Sequence, residues 1–193
     1  VEWSFFVSTP PDKEPITPDD VFEHMREDGT DESAMVSGMI SAWRLIGENH
    51  TRRAWMPQTI TMVLDGFPDE IVLPRPKVRS VTSISYVDEN GDTQTLSSSE
   101  YQADLNREPA RIKPASGTSW PGTQDIYNAV TIVYEAGYES ADHVPDPLKN
   151  WLKVRIATAL ENREEVITGT ISSEIPRNYV DGLLDPFIVG WRF

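Results

Sequence analysis

The 193-residue chain contains no cysteine, which excludes a disulfide framework and any thiolate metal site. Histidine is scarce: His24, His50 and His143 are scattered, none stands in a His-Glu-x-x-His run, and no pair has helical ligand spacing. No run of eighteen apolar residues occurs, so no helix that spans a bilayer is expected. The opening Val1-Glu2-Trp3-Ser4 lacks a basic stretch leading into an apolar one, so no secretory signal is expected at this end. Glycine-rich phosphate loops and the Gly-x-Ser-x-Gly elbow are missing, which removes phosphate cradling and serine-hydrolase chemistry from the reading. Basic residues are few, 17 against 31 acidic, for a net charge of -14. Lys and Arg supply most of the affinity for phosphate backbones, so a protein that grips nucleic acid is disfavoured. An acidic surface keeps a protein soluble, and it also lets DNA pass without adsorbing.

What the chain does have is acidic side chains and punctuated secondary structure. Carboxylate pairs such as Asp19/Asp20, Asp31/Glu32 and Glu164/Glu165 read as helix-end charges or solvated faces, since glycosidase chemistry needs two carboxylates across a cleft. Asp88-Glu89-Asn90-Gly91-Asp92 lacks the alternation of a calcium loop, and a hairpin turn explains it better. No catalytic residue, metal site or cofactor is therefore expected.

The first fifteen residues, aromatic at Trp3, Phe5 and Phe6 and then carrying Pro10-Pro11, predict an extended arm. Thr17-Pro18-Asp19-Asp20 predicts a helix start, with Thr17 as N-cap, running to about Arg26. A second helix, capped by Asp31 and ending near Arg52-Arg53, is expected to bury Met35, Met39, Ile40, Trp43 and Ile46. From Pro57 the period changes to two. Thr59, Thr61 and Val63 alternate with Ile60, Met62 and Leu64, and Ile71-Val72-Leu73 is a short apolar run. Ser80 to Thr95 reads as a β-hairpin around Asn90-Gly91, and strands follow at 101–104, 110–113 and 129–134. Helix returns after Pro145-Asp146-Pro147 with Leu148, Trp151, Leu152, Ile156 and Leu160 on one face, and a short last helix spans 176 to about 184.

The fold class expected is α+β: a helical bundle of two N-terminal plus C-terminal helices, with an inserted small antiparallel β-sheet or barrel. The divisions are a 1–15 N-terminal arm, a 16–56 and 139–184 helical body, a 57–138 β-rich insertion and a 185–193 C-terminal arm. Large aromatics in arms suggest docking, which makes Trp3, Phe5, Phe6, Phe187, Trp191 and Phe193, with Arg192, the candidate contacts to a portal or a neighbour.

Several segments together resemble the phage head–tail connector (adaptor) family, in the branch with a β-rich insertion that also occurs in gene transfer agents. They include Ile16-Thr17-Pro18-Asp19-Asp20-Val21, Leu64-Asp65-Gly66-Phe67-Pro68, Ile71-Val72-Leu73-Pro74-Arg75-Pro76 and Val81-Thr82-Ser83-Ile84-Ser85-Tyr86-Val87-Asp88. Others are Pro109-Ala110-Arg111-Ile112, Ser119-Trp120-Pro121, Glu135-Ala136-Gly137-Tyr138 and Trp191-Arg192-Phe193. The similarity runs from Ile16 to Phe193 and rests on order and spacing. It implies a non-enzymatic virion protein at the head–tail junction, assembled in the host cytoplasm. Its copies would form a ring, typically of twelve, beneath the portal. Stopper or tail-completion proteins would bind the ring, double-stranded DNA would pass through it without specific binding, and no membrane is involved. The resemblance also implies that Trp191, Arg192 and Phe193 touch the portal. Two other readings of the residues stay open: a different neck or tail-completion protein, and a ligand- or carbohydrate-binding module using the β-insertion.

Overall fold

The computed structural model describes residues 1–27, 32–161 and 180–190. The chain divides into two compact units, one from Val1–Asp12 and Arg52–Tyr138, the other from Lys13–Thr51 and Glu139–Phe193.

The first unit is all β. Its strands are β1 (Trp3–Thr9), β2 (Gln58–Leu64), β3 (Ile71–Val72), β4 (Val78–Val87), β5 (Thr93–Thr95), β6 (Tyr101–Asp104), β7 (Arg111–Pro114) and β8 (Val130–Ala136). Five form an antiparallel sheet in the order β1-β2-β8-β4-β5, and three form a second in the order β3-β7-β6. Period-two alternation puts Ile60, Met62 and Leu64 of β2, Ile132 and Tyr134 of β8 and Ile84 of β4 on one buried face. Ile71 and Ile112 from the smaller sheet, with Leu73 and Ala110 flanking its strands, join them in a single apolar cluster. The buried Tyr134 hydroxyl donates to the Pro74 carbonyl at 2.7 Å, and burial pushes its pKa far above the ordinary phenol value.

Turn chemistry fixes the register. At the β4–β5 turn the Asn90 and Asp92 amides donate to one Asp88 carboxylate oxygen at 2.9 and 3.0 Å, and Gly91 supplies φ +90°. The Gln94 side chain, followed by the Asp92 amide, holds the Asp88 carboxyl below its usual pKa. After β8, Gly137 sits at φ +115°, where an added Cβ would lie 2.1 Å from the Met56 carbonyl oxygen. Only glycine fits that approach of two backbones.

The second unit is helical: α1 (Pro18–Met25), α2 (Ser33–Thr51) and α3 (Asp146–Glu161). Thr17 caps α1 as its sequence predicts. The Asp20 amide donates to the Thr17 hydroxyl at 3.3 Å, while the Thr17 amide donates to Asp20 Oδ2 at 2.7 Å, a capping box. Burial alone would raise the Asp20 pKa. The two Thr17 hydrogen bonds, with Lys153 and Lys149, outweigh it and hold the carboxyl below its usual range.

Two expectations change here. The protein is mixed α+β, but its eight described strands in two sheets make it richer in β structure than a helical bundle with a small insert. The buried face of α2 keeps only part of the expected set, with Ile40 buried and Met39 and Trp43 half-buried. Val36, Ile40, Arg44, Gly47, Glu48 and Thr51 are buried, while Met35 and Ile46 are exposed. Arg44 lies inside because its guanidinium binds Glu14 at 2.6 Å and Glu48 at 3.0 Å, so charge pairing carries a polar row inward where hydropathy places it outside. Asp31, read as the cap of α2, and most of the last predicted helix lie outside the described residues.

Candidate functional site

Among the described residues no titratable cluster marks a centre of chemistry. His24, His50 and His143 are all exposed, and His143 Nδ1 lies 2.9 Å from the Ser140 hydroxyl. Among the described residues no group of three His, Asp or Glu side chains is placed to hold a metal ion. An open groove of about 440 Å³ is lined by Asp65, Asp125, Ile126 and Tyr127. Asp65 Oδ1 is occupied, accepting the Asn128 amide at 2.8 Å. The groove therefore lacks the convergent polar groups of a small-molecule site. What remains is surface.

The predicted contact residues separate. Trp3, Phe5 and Phe6 stand on β1, an edge strand of the larger sheet, paired with β2 in the register Phe5↔Met62 and Phe6↔Thr61. Alternation sends Phe5 toward the core, where the Arg75 guanidinium lies 5.7 Å from its ring centroid and Trp3 stacks beside it at 6.2 Å. Phe6 points to the other face and is 54% exposed. Phe187 is half-buried in the short 3-10 turn Asp185–Phe187, and the Val189 amide donates to the Thr51 carbonyl at 3.0 Å. Trp191, Arg192 and Phe193 lie outside the described residues.

Two surfaces were not read from sequence. The tip at Ile126-Tyr127 leaves Tyr127 85% exposed, and no local pattern distinguishes that aromatic from a folded-back one. The other is the outward face of α2, where Met35, Leu45 and Ile46 are exposed. The signal for it was present, because α2 carries more apolar residues than one buried stripe can absorb.

Charge is unevenly spread over the five-stranded sheet. Its Leu64–Val130–Tyr86 end is followed or preceded by Asp65, Asp125, Asp88, Glu89 and Asp92, with Glu2 just before Trp3 at the same end. The opposite end, at Gln58–Ala136–Val78, carries Lys77 and Arg79 together with Glu135.

No protein-family model matches the chain, and no curated protein does. Solved structures do. A chain from the neck of an empty GTA particle, computed with C6 symmetry, superposes with a TM-score of 0.76 at 20% identity, covering 98% of this chain and 97% of that one. One from the virion of a native gene transfer agent (GTA) particle gives 0.78 at 18% identity, over 98% and 97%. Another, from the neck of a native GTA particle computed with C12 symmetry, gives 0.69 at 18%, over 100% and 98%. The chain thus has the fold of structural chains from these particles, along its whole length.

Proposed function

We propose that the chain is a non-enzymatic structural protein of a phage-like particle, located at the head–tail junction. One observation carries this reading: the fold matches GTA neck and virion chains end to end, with neither chain left over. The finer role we infer is that of the adaptor. Copies form a ring, of twelve in the C12 arrangement, beneath the portal and offer a platform to a stopper or tail-completion protein. The resemblance of the ordered segments to the connector family supports this role. The net charge of -14 supports passage of DNA through the ring without adsorption, since like charges repel. The division into a 16–56 and 139–184 body with a 57–138 insertion belongs to the same reading. So does the assignment of portal contact to Phe187, Trp191, Arg192 and Phe193.

A symmetric reconstruction of the particle neck tests the role. Density for this chain as a ring directly under the portal, with carboxylates toward the channel, is the expected result. A position away from the portal overturns the adaptor role, and a basic lumen overturns the account of DNA passage. Deleting Trp191–Phe193 tests the contact: the subunit should fold while head–tail joining fails, and normal particles would remove these residues from the interface.

A further inference from the structure

The groove walled by Asp65, Asp125, Ile126 and Tyr127 is too open for a small molecule, but it is built to meet a side chain. The loop that lines it is pinned on both sides. The Gln124 amide donates to the Val87 carbonyl at 3.0 Å, and the Asn128 amide donates to Asp65 Oδ1 at 2.8 Å. Between these pins Ile126 is 41% and Tyr127 85% exposed, and Tyr127 is the most exposed large apolar side chain among the described residues. A ring held out by a pinned loop has little backbone freedom left to lose when a partner covers it, and tyrosine is a frequent anchor of such contacts.

The charge around this ring is of one sign. No lysine or arginine occurs from Ala54 to Pro74, from Val81 to Asn106 or from Pro114 to Leu148, the stretches that supply this end of the sheet. Among the described residues Asp65, Asp88, Glu89, Asp92 and Asp125 form no ion pair. An aromatic face therefore stands in an uncompensated negative field.

That field selects the occupant. Nucleic acid is repelled by it. A second copy brings the same net charge of -14, so its approach to this end is opposed on average. The residues of this chain outside the described ones carry more carboxylates (Asp28, Asp31, Glu164, Glu165, Glu174) than cations (Arg163, Arg177, Arg192), so charge does not favour them as a cover either. No group of three carboxylates or histidines among the described residues is placed to hold a metal ion. A basic protein segment is what complements the groove. Arginine suits it better than lysine, because a planar guanidinium lies against an aromatic face while its N–H groups reach carboxylates.

We propose that the groove receives an arginine side chain from a basic segment of a partner protein, with the guanidinium against the Tyr127 ring and paired with the Asp65 and Asp125 carboxylates. That the partner is a neighbouring protein of the particle rests on the neck reading above; the groove and its charge do not.

The isotope-labelled whole chain titrated with the peptide acetyl-Gly-Arg-Leu-Arg-Gly-amide tests the contact, with citrulline in place of arginine as the neutral control. Amide shifts should concentrate at Asp65 and at Gln124 to Asn128, and the citrulline peptide should give none. Tyr127→Ala and Asp125→Asn alter exposed side chains and should each weaken binding about threefold or more. Glu135→Gln removes the same charge from the exposed surface at the opposite end of the sheet and should leave binding unchanged. Shifts spread over all carboxylates, or equal losses in the three variants, would mean general attraction and overturn the groove. Equal binding of the citrulline peptide, or no binding of the arginine peptide at millimolar concentration, would overturn it too. In a map of the neck, an arginine or lysine of a neighbouring protein should lie on Tyr127. A bare loop, a second copy of this chain there, or residues 162–179 of the same chain there would sink the proposal, while a ring under the portal would still uphold the adaptor role. An arginine in the groove of a chain placed away from the portal would uphold the contact and remove that role.

Discussion

The two units of this chain hold together with different proportions of apolar burial and charge pairing. The β unit is built on one continuous apolar cluster shared by two sheets, from Ile60 and Ile132 across to Ile71 and Ile112, with the ion pairs Arg53–Glu108 and Arg111–Glu70 beside it. The helical unit sets ion pairs among its apolar contacts. Arg44 joins Glu14 to Glu48 with side chains 10%, 23% and 3% exposed, Lys153 reaches Asp20 at 3.8 Å, and Arg155 binds Asp181. An apolar core tolerates loss of a methyl group in proportion to the area and cavity involved, whereas a buried charge fails abruptly when its partner goes. The units should therefore differ in how they respond to substitution and to pH.

The largest effect should come from the backbone of the β unit. Gly137→Ala forces a methyl group into the Met56 carbonyl and asks a non-glycine residue to hold φ +115°. We expect a chain whose β unit does not reach its native state, read by loss of slow amide exchange in β2 and β8. Native protection in that variant would show that the strand crossing yields more easily than this account allows.

Next comes the charge network of the helical unit. Arg44→Met leaves the Glu48 carboxylate buried without its guanidinium, and should cost about 3–5 kcal/mol in denaturant unfolding. Adding Glu48→Leu should recover part of that loss, because the more deeply buried carboxylate of the network is then gone with the guanidinium. A single variant as stable as the parent would remove the contrast drawn between the units.

The smallest effect is a pH-dependent one. Burial alone would raise the Asp181 pKa, but hydrogen bonds from Arg155 and Trp151, aided by the charges of Arg155 and His50, hold it below the usual value. A lowered carboxyl pKa stabilises the fold above the unfolded-state value, near 3.9, and that contribution is lost as pH falls through the folded-state value. The Asp181 side chain is 39% exposed, so Asp181→Asn should cost only about 0.2–1 kcal/mol at pH 7. The difference from the parent should vanish in acid. A penalty that persisted below pH 3 would point to packing rather than charge.

Local signals in the sequence were faithful where the structure is decided locally. Thr17-Pro18-Asp19-Asp20 starts a helix because all four contributions to the cap lie within one turn. Asn90-Gly91 closes a hairpin because Asp88 and Gly91 complete the turn without outside help. The misreadings concern residues whose fate is settled far away in the chain. β1 finds its partner some sixty residues downstream, at Leu64 opposite Trp3, and nothing in its own seven residues names that partner. Arg44 turns inward because Glu14 lies thirty positions earlier, so hydropathy alone placed Ile40 correctly but missed the charged part of the buried face and wrongly buried Met35 and Ile46. The candidate surface shows the same dependence on distant residues. Among the aromatics of the first residues marked for contact, Phe5 is half-buried against the core cluster while Phe6 faces out, a distinction that only the strand register supplies.

The placement of the indoles gives the molecule an optical signature for each half. In the helical unit Trp43 and Trp151 meet edge to face at 5.8 Å, with the Arg155 guanidinium about 6 Å from both rings. In the β unit Trp55 is fully buried, and Trp120 stacks on Phe67 at 4.7 Å while donating to the Pro68 carbonyl. Coupled indoles give a circular-dichroism couplet that isolated ones lack, and a stacked, hydrogen-bonded indole emits at its own wavelength. Melting of the helical unit can therefore be followed through the couplet of the Trp43–Trp151 pair, without adding a label.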